Sequence, residues 1–330
     1  MKKILLTGVT GLLGRQFVAD LAQKYEIYGI GRNQTIGQQL VDQYGIRFLP
    51  MDLAQLSSAQ IQTLVDIAPD AIVHGAARSE YWGPKEWFYQ ANVVGTANIL
   101  KVADLAQVKR FIQISSPSVY FHYETAHMIT EDYPLPKKFA NYYAQTKAKA
   151  DQLVMGNPIP YIIIRPRAIF GPNDETILKP LLDRNAQGGI PLPKYGKSQW
   201  IDVTNVSNVV ESIRLALETN NPAALNQIYN ITDGQPRNMH EILVYLTKRL
   251  DVPLKIKPIP FGLLFTAGAL DEAIHRVIGT RKTPQITRYV ASVLGHTQTL
   301  SINKAQELLN YQPIKTTNQG IQEFVDAQQN

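Results

Sequence analysis

The stretch "TGVTGLLG", residues 7–14, sets Gly8, Gly11 and Gly14 three residues apart, after the apolar run "KILL" (3–6) and before the helical pattern "RQFVADLAQ" (15–23). Glycines at such a turn let backbone N–H groups approach an anion that then rests on the helix N-terminus. A glycine-rich turn alone says little. Its place after a first strand and before a first helix points to a dinucleotide's pyrophosphate, held by the turn residues Gly8, Thr10, Gly11, Leu12, Leu13 and Gly14.

Working outward, short β-rich runs recur at Lys3–Leu6, Ile27–Ile30, Arg47–Leu49, Ala71–Val73, Phe111–Ile114 and Ile162–Ile164. The segments between them are long enough for crossover helices, so the pattern is that of an α/β fold, a doubly wound parallel sheet. After "RPRAIFGP" (165–172) the rhythm breaks into Pro- and Gly-punctuated pieces such as "GGIPLPKYGK" (188–197). Residues 1–172 are therefore expected to bind the dinucleotide, and 173–330 to form mainly a smaller substrate-binding region. Part of it, about 200–250, is expected to return to the first domain through the strand "QIYNIT" (227–232) and the helix "HEILVYLTKRL" (240–250). The stretch "WIDVTNV" (200–206) reads as a further strand.

At the tip of the second strand, where a carboxylate would accept from an adenosine ribose diol, "IYGIGRN" places Arg32. A guanidinium there pairs with a 2′-phosphate, which favours NADP over NAD. Asp52, in "PMDLA", fits two roles, accepting from the adenine amino group or capping the next helix.

Composition narrows the function classes. The 330 residues carry a formal net charge of +6 and 45% hydrophobic residues, with no Cys. That excludes disulfides, thiolate catalysis and Cys-based zinc sites, and fits a reducing compartment. No basic run interleaved with aromatics marks a nucleic-acid surface, and no stretch is long and apolar enough to span a membrane. A cytoplasmic protein is expected. "HYETAH" brings His122, Glu124 and His127 near Glu131, but lacks the spacing of a helical zinc motif, so no metal is expected.

The candidate chemistry lies in "NYYAQTKAKA" (141–150). Chance supplies about one Tyr-x-x-x-Lys match in such a chain, and four occur. Tyr81/Lys85, Tyr133/Lys137 and Tyr311/Lys315 enclose prolines. Only Tyr143/Lys147 reads as an uninterrupted helical turn, with Asn141 as its N-cap. Strand five ends in "ISSPSVY", which sets Ser116 on the strand tip where such sheets bind ligands. A cation beside a phenol lowers its pKa, the role expected of Lys147 toward Tyr143.

Taken in order, "TGVTGLLG", "DL" (52–53), "HGAA" (74–77), "ANVVGTANIL" (91–100), "SSPSVY", "YAQTK" and "RPRAIFGP" resemble the extended short-chain dehydrogenase/reductases over nearly the whole chain. The likeness is to the 3β-hydroxysteroid dehydrogenase-like and NAD-dependent epimerase/dehydratase branch. It implies a Rossmann-type fold, Tyr143 as acid/base, Lys147 on the nicotinamide ribose, Ser116 on the substrate oxygen and Asn92 in the proton relay. Gly8, Gly11, Leu13 and Gly14 match the pyrophosphate turn. Asp52, Leu53, Ala76, Ala77, Pro166 and Ala168 match positions lining the cofactor. The family often forms dimers, so a homodimer is expected.

For substrate contacts, Ser79, Tyr81 and Trp82 precede Gly83-Pro84 in a loop, and Ser118 follows Ser116. Trp87 and Phe88 are expected to pack a helix, and Tyr142 to be a packing neighbour. The nucleotide-sugar enzymes carry a diphosphate-binding arginine just before "WIDVTNV", whereas this chain has Ser198 and Gln199, with Lys197 nearby. Together with "FGLLFTAGALDEAIHRVIG" (261–279), a lid or core helix or else a membrane-surface one, this favours an apolar or amphipathic substrate, steroid-like or a β-hydroxy/β-keto acid. The expected function is NADP(H)-dependent interconversion of a secondary alcohol and a ketone. The competing readings are a nucleotide-sugar epimerase or dehydratase and a non-catalytic NADP-binding regulator.

Overall fold

The computed structural model describes residues 1–193, 199–278 and 282–329. Its main sheet consists of β1 (Lys2–Thr7), β2 (Tyr25–Gly31), β3 (Arg47–Pro50), β4 (Ala71–His74), β5 (Arg110–Ile114), β6 (Tyr161–Pro166) and β7 (Gln227–Ile231). The strand order is β7-β6-β5-β4-β1-β2-β3, and every pairing is parallel.

Both faces of this sheet are buried, which is why its strands read as continuous apolar runs. Ile4, Leu6, Ile112 and Ile164 face one core with helices α1 (Leu12–Leu21), α2 (Gln34–Tyr44) and α6 (Val206–Glu218). Leu5, Ile72, Phe111 and Ile163 face the other, beneath α3 (Ser58–Asp66), α4 (Gly95–Leu105) and α5 (Tyr142–Met155). Outside these layers lie α7 (Phe261–Ile278) and α8 (Arg288–Gly295).

Chain order reverses at β1, which lies between β4 and β2, so the ligand crevice of such a sheet opens at its carboxyl end. There Gly8 has φ +75°, and an added Cβ would lie 2.8 Å from the Ala76 amide nitrogen. A Cβ on Gly14 would lie 2.4 Å from the Gly8 carbonyl oxygen. The turn is thus pressed against both its own helix and the tip of β4. Gly29 and Gly31 on β2 leave room for the Val9 and Thr10 side chains, at 2.8 and 2.9 Å from where a Cβ would stand.

The return of the C-terminal half to the main sheet is wider than residues 200–250. Ala305, Leu309 and Tyr311 also lie in the α1/α6 core. Exchange runs the other way too, since Ala126–Ile129 pairs with Gln298–Leu300 in a second sheet that includes Trp200–Ile201 and Arg237–Asn238. The stretch "WIDVTNV" is not one strand. It splits into Trp200–Ile201 and Thr204–Asn205, which join different sheets, and α6 begins at Val206. The break falls at Asp202, whose carboxylate accepts from the Leu300 amide at 2.7 Å, while Thr204 N donates to Ala168 O at 3.3 Å. Among the described residues no helix is long and apolar enough to cross a membrane.

The close approach at the glycine turn has a measurable consequence. Gly14→Ala is expected to destabilise the fold by about 1–3 kcal/mol or more, because backbone rather than a flexible side chain must move. Gly262→Ala on α7, where an added Cβ meets nothing within 4 Å, is expected to be neutral or mildly stabilising. Urea unfolding of both variants checks this, and equal effects would contradict the packing of the turn.

Candidate active site

The end of β5 and the start of α5 bring the reactive side chains together. Ser116 Oγ accepts from the Ser118 amide at 3.2 Å and so starts the short turn Pro117–Tyr120. Across from it, Asn141 Oδ1 accepts from Ala144 N at 2.8 Å, the N-cap that sets Tyr143 on the first turn of α5. Burial pushes the Tyr143 phenol up to about 12 against the pull of the nearby Ser116 hydroxyl, and Tyr289 and Asp151 add to the rise. Tyr142 points elsewhere, 45% exposed with its ring 6.5 Å from Phe88.

One turn on, Lys147 is only 2% exposed and donates to the Ile114 carbonyl at 2.6 Å. Burial lowers its pKa to about 8, opposed by Asp151 and helped by Arg165. Burial dominates the phenol, and the Lys147 ammonium is turned to the strand. Behind it lies a buried ion pair. Asp151 Oδ2 accepts from Arg165 Nη2 at 2.7 Å and from Ser115 Oγ at 2.8 Å, and Arg165 also bonds the Tyr120 hydroxyl.

A second buried chain runs from the glycine turn to α4. Ala76 N donates to Thr7 Oγ1 at 3.1 Å, and Thr7 Oγ1 meets His74 Nδ1 at 2.7 Å. On the far side His74 Nε2 meets Thr96 Oγ1 at 3.0 Å, and Thr96 donates to the Asn92 carbonyl at 2.7 Å. Because the Thr96 proton is committed to Asn92, His74 donates from Nε2 and accepts at Nδ1. The ring is neutral, its pKa lowered to about 3 by burial and then by the charge of Lys147.

Asn92 lies in the π-helical stretch Gln90–Val94. Its side chain accepts from Arg78 N at 2.7 Å and donates to Arg78 O at 3.1 Å and Thr146 Oγ1 at 3.0 Å. Its amide thus clamps the loop after β4 to α5. Among the described residues no direct hydrogen bond joins it to Tyr143 or Lys147.

The remaining cofactor positions line the crevice with mixed commitment. Arg32 has its side chain 76% exposed, 3.9 Å from Asp52. Asp52 also caps the short turn Leu53–Gln55 through the Ala54 amide at 3.0 Å, and Leu53 is buried. Pro166 ends β6, and Ala168 is held at φ +44°. Ala77 and Ser79 are exposed. The residues fit a dinucleotide, since α1 begins at Gly11 with no side-chain cap, Gly8 abuts Ala76, and Gly14 admits no Cβ.

Tyr289, whose phenol acts on that of Tyr143, belongs to an aromatic wall. Tyr289 of α8 is 5.8 Å from Tyr81 and 4.7 Å from Phe121, ring to ring. Tyr123 continues it at 5.4 Å from Phe121 and 5.8 Å from Phe265 of α7, and Trp82 meets His275 edge-on at 6.2 Å. Ser118 is buried, and its hydroxyl has no hydrogen-bond partner. Sequence reasoning missed Tyr289, Phe265 and His275, which lie far from Tyr143 in the chain and share no local pattern with it. It also left His74 and Asp151 without a role, although His74 stands in "HGAA" and Asp151 one turn past Lys147. Lys197 and Ser198 lie outside the described residues, and Gln199 donates to Gly295 O at 2.7 Å.

The family described as NAD dependent epimerase/dehydratase matches residues 4–232. The chain belongs to this family. Within it, the chain is 34% identical to the uncharacterized protein YbjS of Escherichia coli over 97% of this chain and 96% of that one. It is 28% identical to 2-alkyl-3-oxoalkanoate reductase of Stenotrophomonas maltophilia over 97% of each chain. A UDP-glucuronic acid 4-epimerase from Bacillus cereus, solved with NAD, shares the fold with a TM-score of 0.78 at 20% identity over 99% of both chains. This member of the epimerase/dehydratase family is an NAD(P)-dependent oxidoreductase of the extended short-chain dehydrogenase/reductase type.

The buried lysine gives the family member a pH signature. Its folded pKa of about 8 lies below the ordinary 10.5, so the unfolded chain holds a proton that the folded one releases. Lys147 therefore costs stability below pH 8, and the cost fades as pH rises from about 8 to 10.5. Lys147→Met is expected to raise the urea midpoint at neutral pH, to remove that pH-dependent gain, and to abolish turnover. A lower midpoint at pH 7 would contradict a net cost of burying this cation.

Proposed function

We propose that the protein reduces the ketone of an apolar or amphipathic β-keto compound, or oxidises the matching alcohol, with NADP(H). The observation that carries this reading is the aromatic wall of Tyr81, Phe121, Tyr123, Phe265 and Tyr289, which comes near the Ser116–Tyr143 pair at Tyr289. Such a wall suits a carbon skeleton better than a nucleotide diphosphate. Relatives named for 2-alkyl-3-oxoalkanoate reduction and for sterol-4-alpha-carboxylate 3-dehydrogenation support it.

The nicotinamide, when bound, supplies or takes the hydride. The chain's own residues manage the rest. Tyr143, protonated near neutrality, donates to the ketone oxygen as charge develops there, and Ser116 donates a second hydrogen bond to the same oxygen. Lys147 would bind the nicotinamide ribose, and its charge would favour the phenolate left after proton transfer. Gly8, Gly11, Leu13 and Gly14 would hold the pyrophosphate, and Arg32 the 2′-phosphate. Asn92 and His74 keep the loop after β4 and the glycine turn in register with α5. The wall excludes water from the reacting carbonyl.

Two substitutions test the reading. Tyr143→Phe keeps the ring's packing and is expected to lower turnover of a 2-alkyl-3-oxoacid by about 10²-fold or more, with coenzyme affinity nearly unchanged. Full activity in Tyr143→Phe, with loss in Tyr142→Phe, would assign the proton to the wrong tyrosine. Arg32→Asp is expected to shift the ratio of NADPH to NADH affinities toward NADH, and an unchanged ratio would return Arg32 to the solvated surface. Calorimetric titration with UDP-sugars is expected to show no saturable binding at micromolar concentration, and clear binding would favour the epimerase reading instead.

A further inference from the structure

The outer face of α7 is apolar and uncovered. Leu263, Leu270, Ile274, Val277 and Ile278 are 61%, 64%, 45%, 87% and 71% exposed. On a helical wheel they fall within about 100° of arc, together with the exposed Ala267. The opposite face carries Leu264, Gly268 and Glu272, all buried against α8 and its approach, and a Cβ at Gly268 would lie 2.8 Å from the Thr287 carbonyl carbon. The helix is therefore seated firmly on one side and bare on the other.

We propose that this face docks on the surface of an anionic lipid bilayer, with α7 lying in the plane of the interface. Charge placement argues for that occupant. Both carboxylates of the helix are turned away or engaged: Glu272 is 5% exposed and holds Arg288 at 2.8 Å, and Asp271 is bonded by His275 and by the Ile286 amide. Cations flank the stripe in the chain. Lys255 and Lys257 are exposed before it and Lys282 after it, in a chain of net charge +6, whereas Arg276 lies on the opposite face with Glu272 and Trp82. A helix of this kind, apolar on one side with exposed cations in the segments before and after it, binds lipid through buried apolar area and attraction to anionic headgroups.

Size argues against a second copy of the chain as the occupant. Eighteen residues span about 27 Å, and a stripe roughly 10 Å wide offers some 270 Å², far below the ~800 Å² per partner of a stable interface. A bilayer needs only that one helix be lowered about 5–10 Å into its boundary. The inner side of α7 carries Phe265 and His275 of the aromatic wall, so docking would place the mouth of the cleft against the lipid. The proposal goes beyond the chemistry assigned to Tyr143 and does not depend on it.

The test uses the full chain and vesicles of phosphatidylcholine alone or mixed with phosphatidylglycerol. Wild type is expected to co-sediment with the mixed vesicles, and Leu270→Glu/Val277→Glu to bind at least about tenfold more weakly, with unchanged turnover of a short water-soluble ketone and unchanged thermal unfolding. Because the chain has no Cys, a single Val277→Cys also reports directly. A polarity-sensitive dye on it is expected to shift blue with mixed vesicles, whereas the same dye on Val244→Cys, an exposed position on another helix, is expected not to shift. Wild type remaining in the supernatant, equal binding by the double variant, or a dimer in light scattering that the double variant breaks would each overturn the proposal.

Discussion

A cation buried in a protein interior must be compensated, and much of this site is arranged around one. Lys147 is almost without solvent, so its three donors and its charge must be met from the fold. The Ile114 carbonyl, the last of β5, takes one hydrogen bond directly. Asp151 and Arg165 act on it from behind with opposite signs, and Asp151 in turn ties Ser115, next to Ser116, to β6. The constraint that steadies the lysine thus also fixes the strand tip carrying the serine. Its charge reaches His74 as well and adds to the burial that keeps that ring neutral. The glycine turn, the clamp at Asn92 and the helix that carries Tyr143 are linked through this network.

The two regions of the chain are fastened by a similar logic. Asp233 follows β7 and accepts from Asn205 N, Asn208 Nδ2 and Thr317 Oγ1. It joins the start of α6 to the last helix of the chain. Asp202 does the same for the second sheet through Leu300. Burial raises both carboxyls to about 6 despite these bonds. The folded chain therefore holds these two protons more tightly than the unfolded one, so ionising the anchoring carboxyls costs stability as pH rises from 3.8 to about 6.

What was legible in the sequence is what is local. The glycine turn, the alternation of strand and helix and the Asn141 cap lie within a few residues of one another, and the Tyr143/Lys147 spacing is fixed by one helical turn. The break inside "WIDVTNV" was not legible, because its cause is the Leu300 amide, a long-range acceptor demand with no trace in the stretch itself. Nor was the aromatic wall. Tyr289 meets Phe121 only after the chain has crossed back over the sheet, and aromatic residues carry no periodic mark of such a meeting. His74 was legible only as part of "HGAA", since the two threonines that fix its tautomer come from β1 and α4.

The late arrival of β7 shapes how the chain comes into being. The parallel sheet is complete only once residues 227–231 have been made and have paired with β6, and Tyr311, fully buried against that edge, comes later still. During synthesis the first six strands emerge with one margin of the sheet unpaired and one apolar face lacking the cover of α6. Such an open margin is what makes a partly made parallel sheet prone to sticking to its neighbours, and pairing of β7 with β6 removes it.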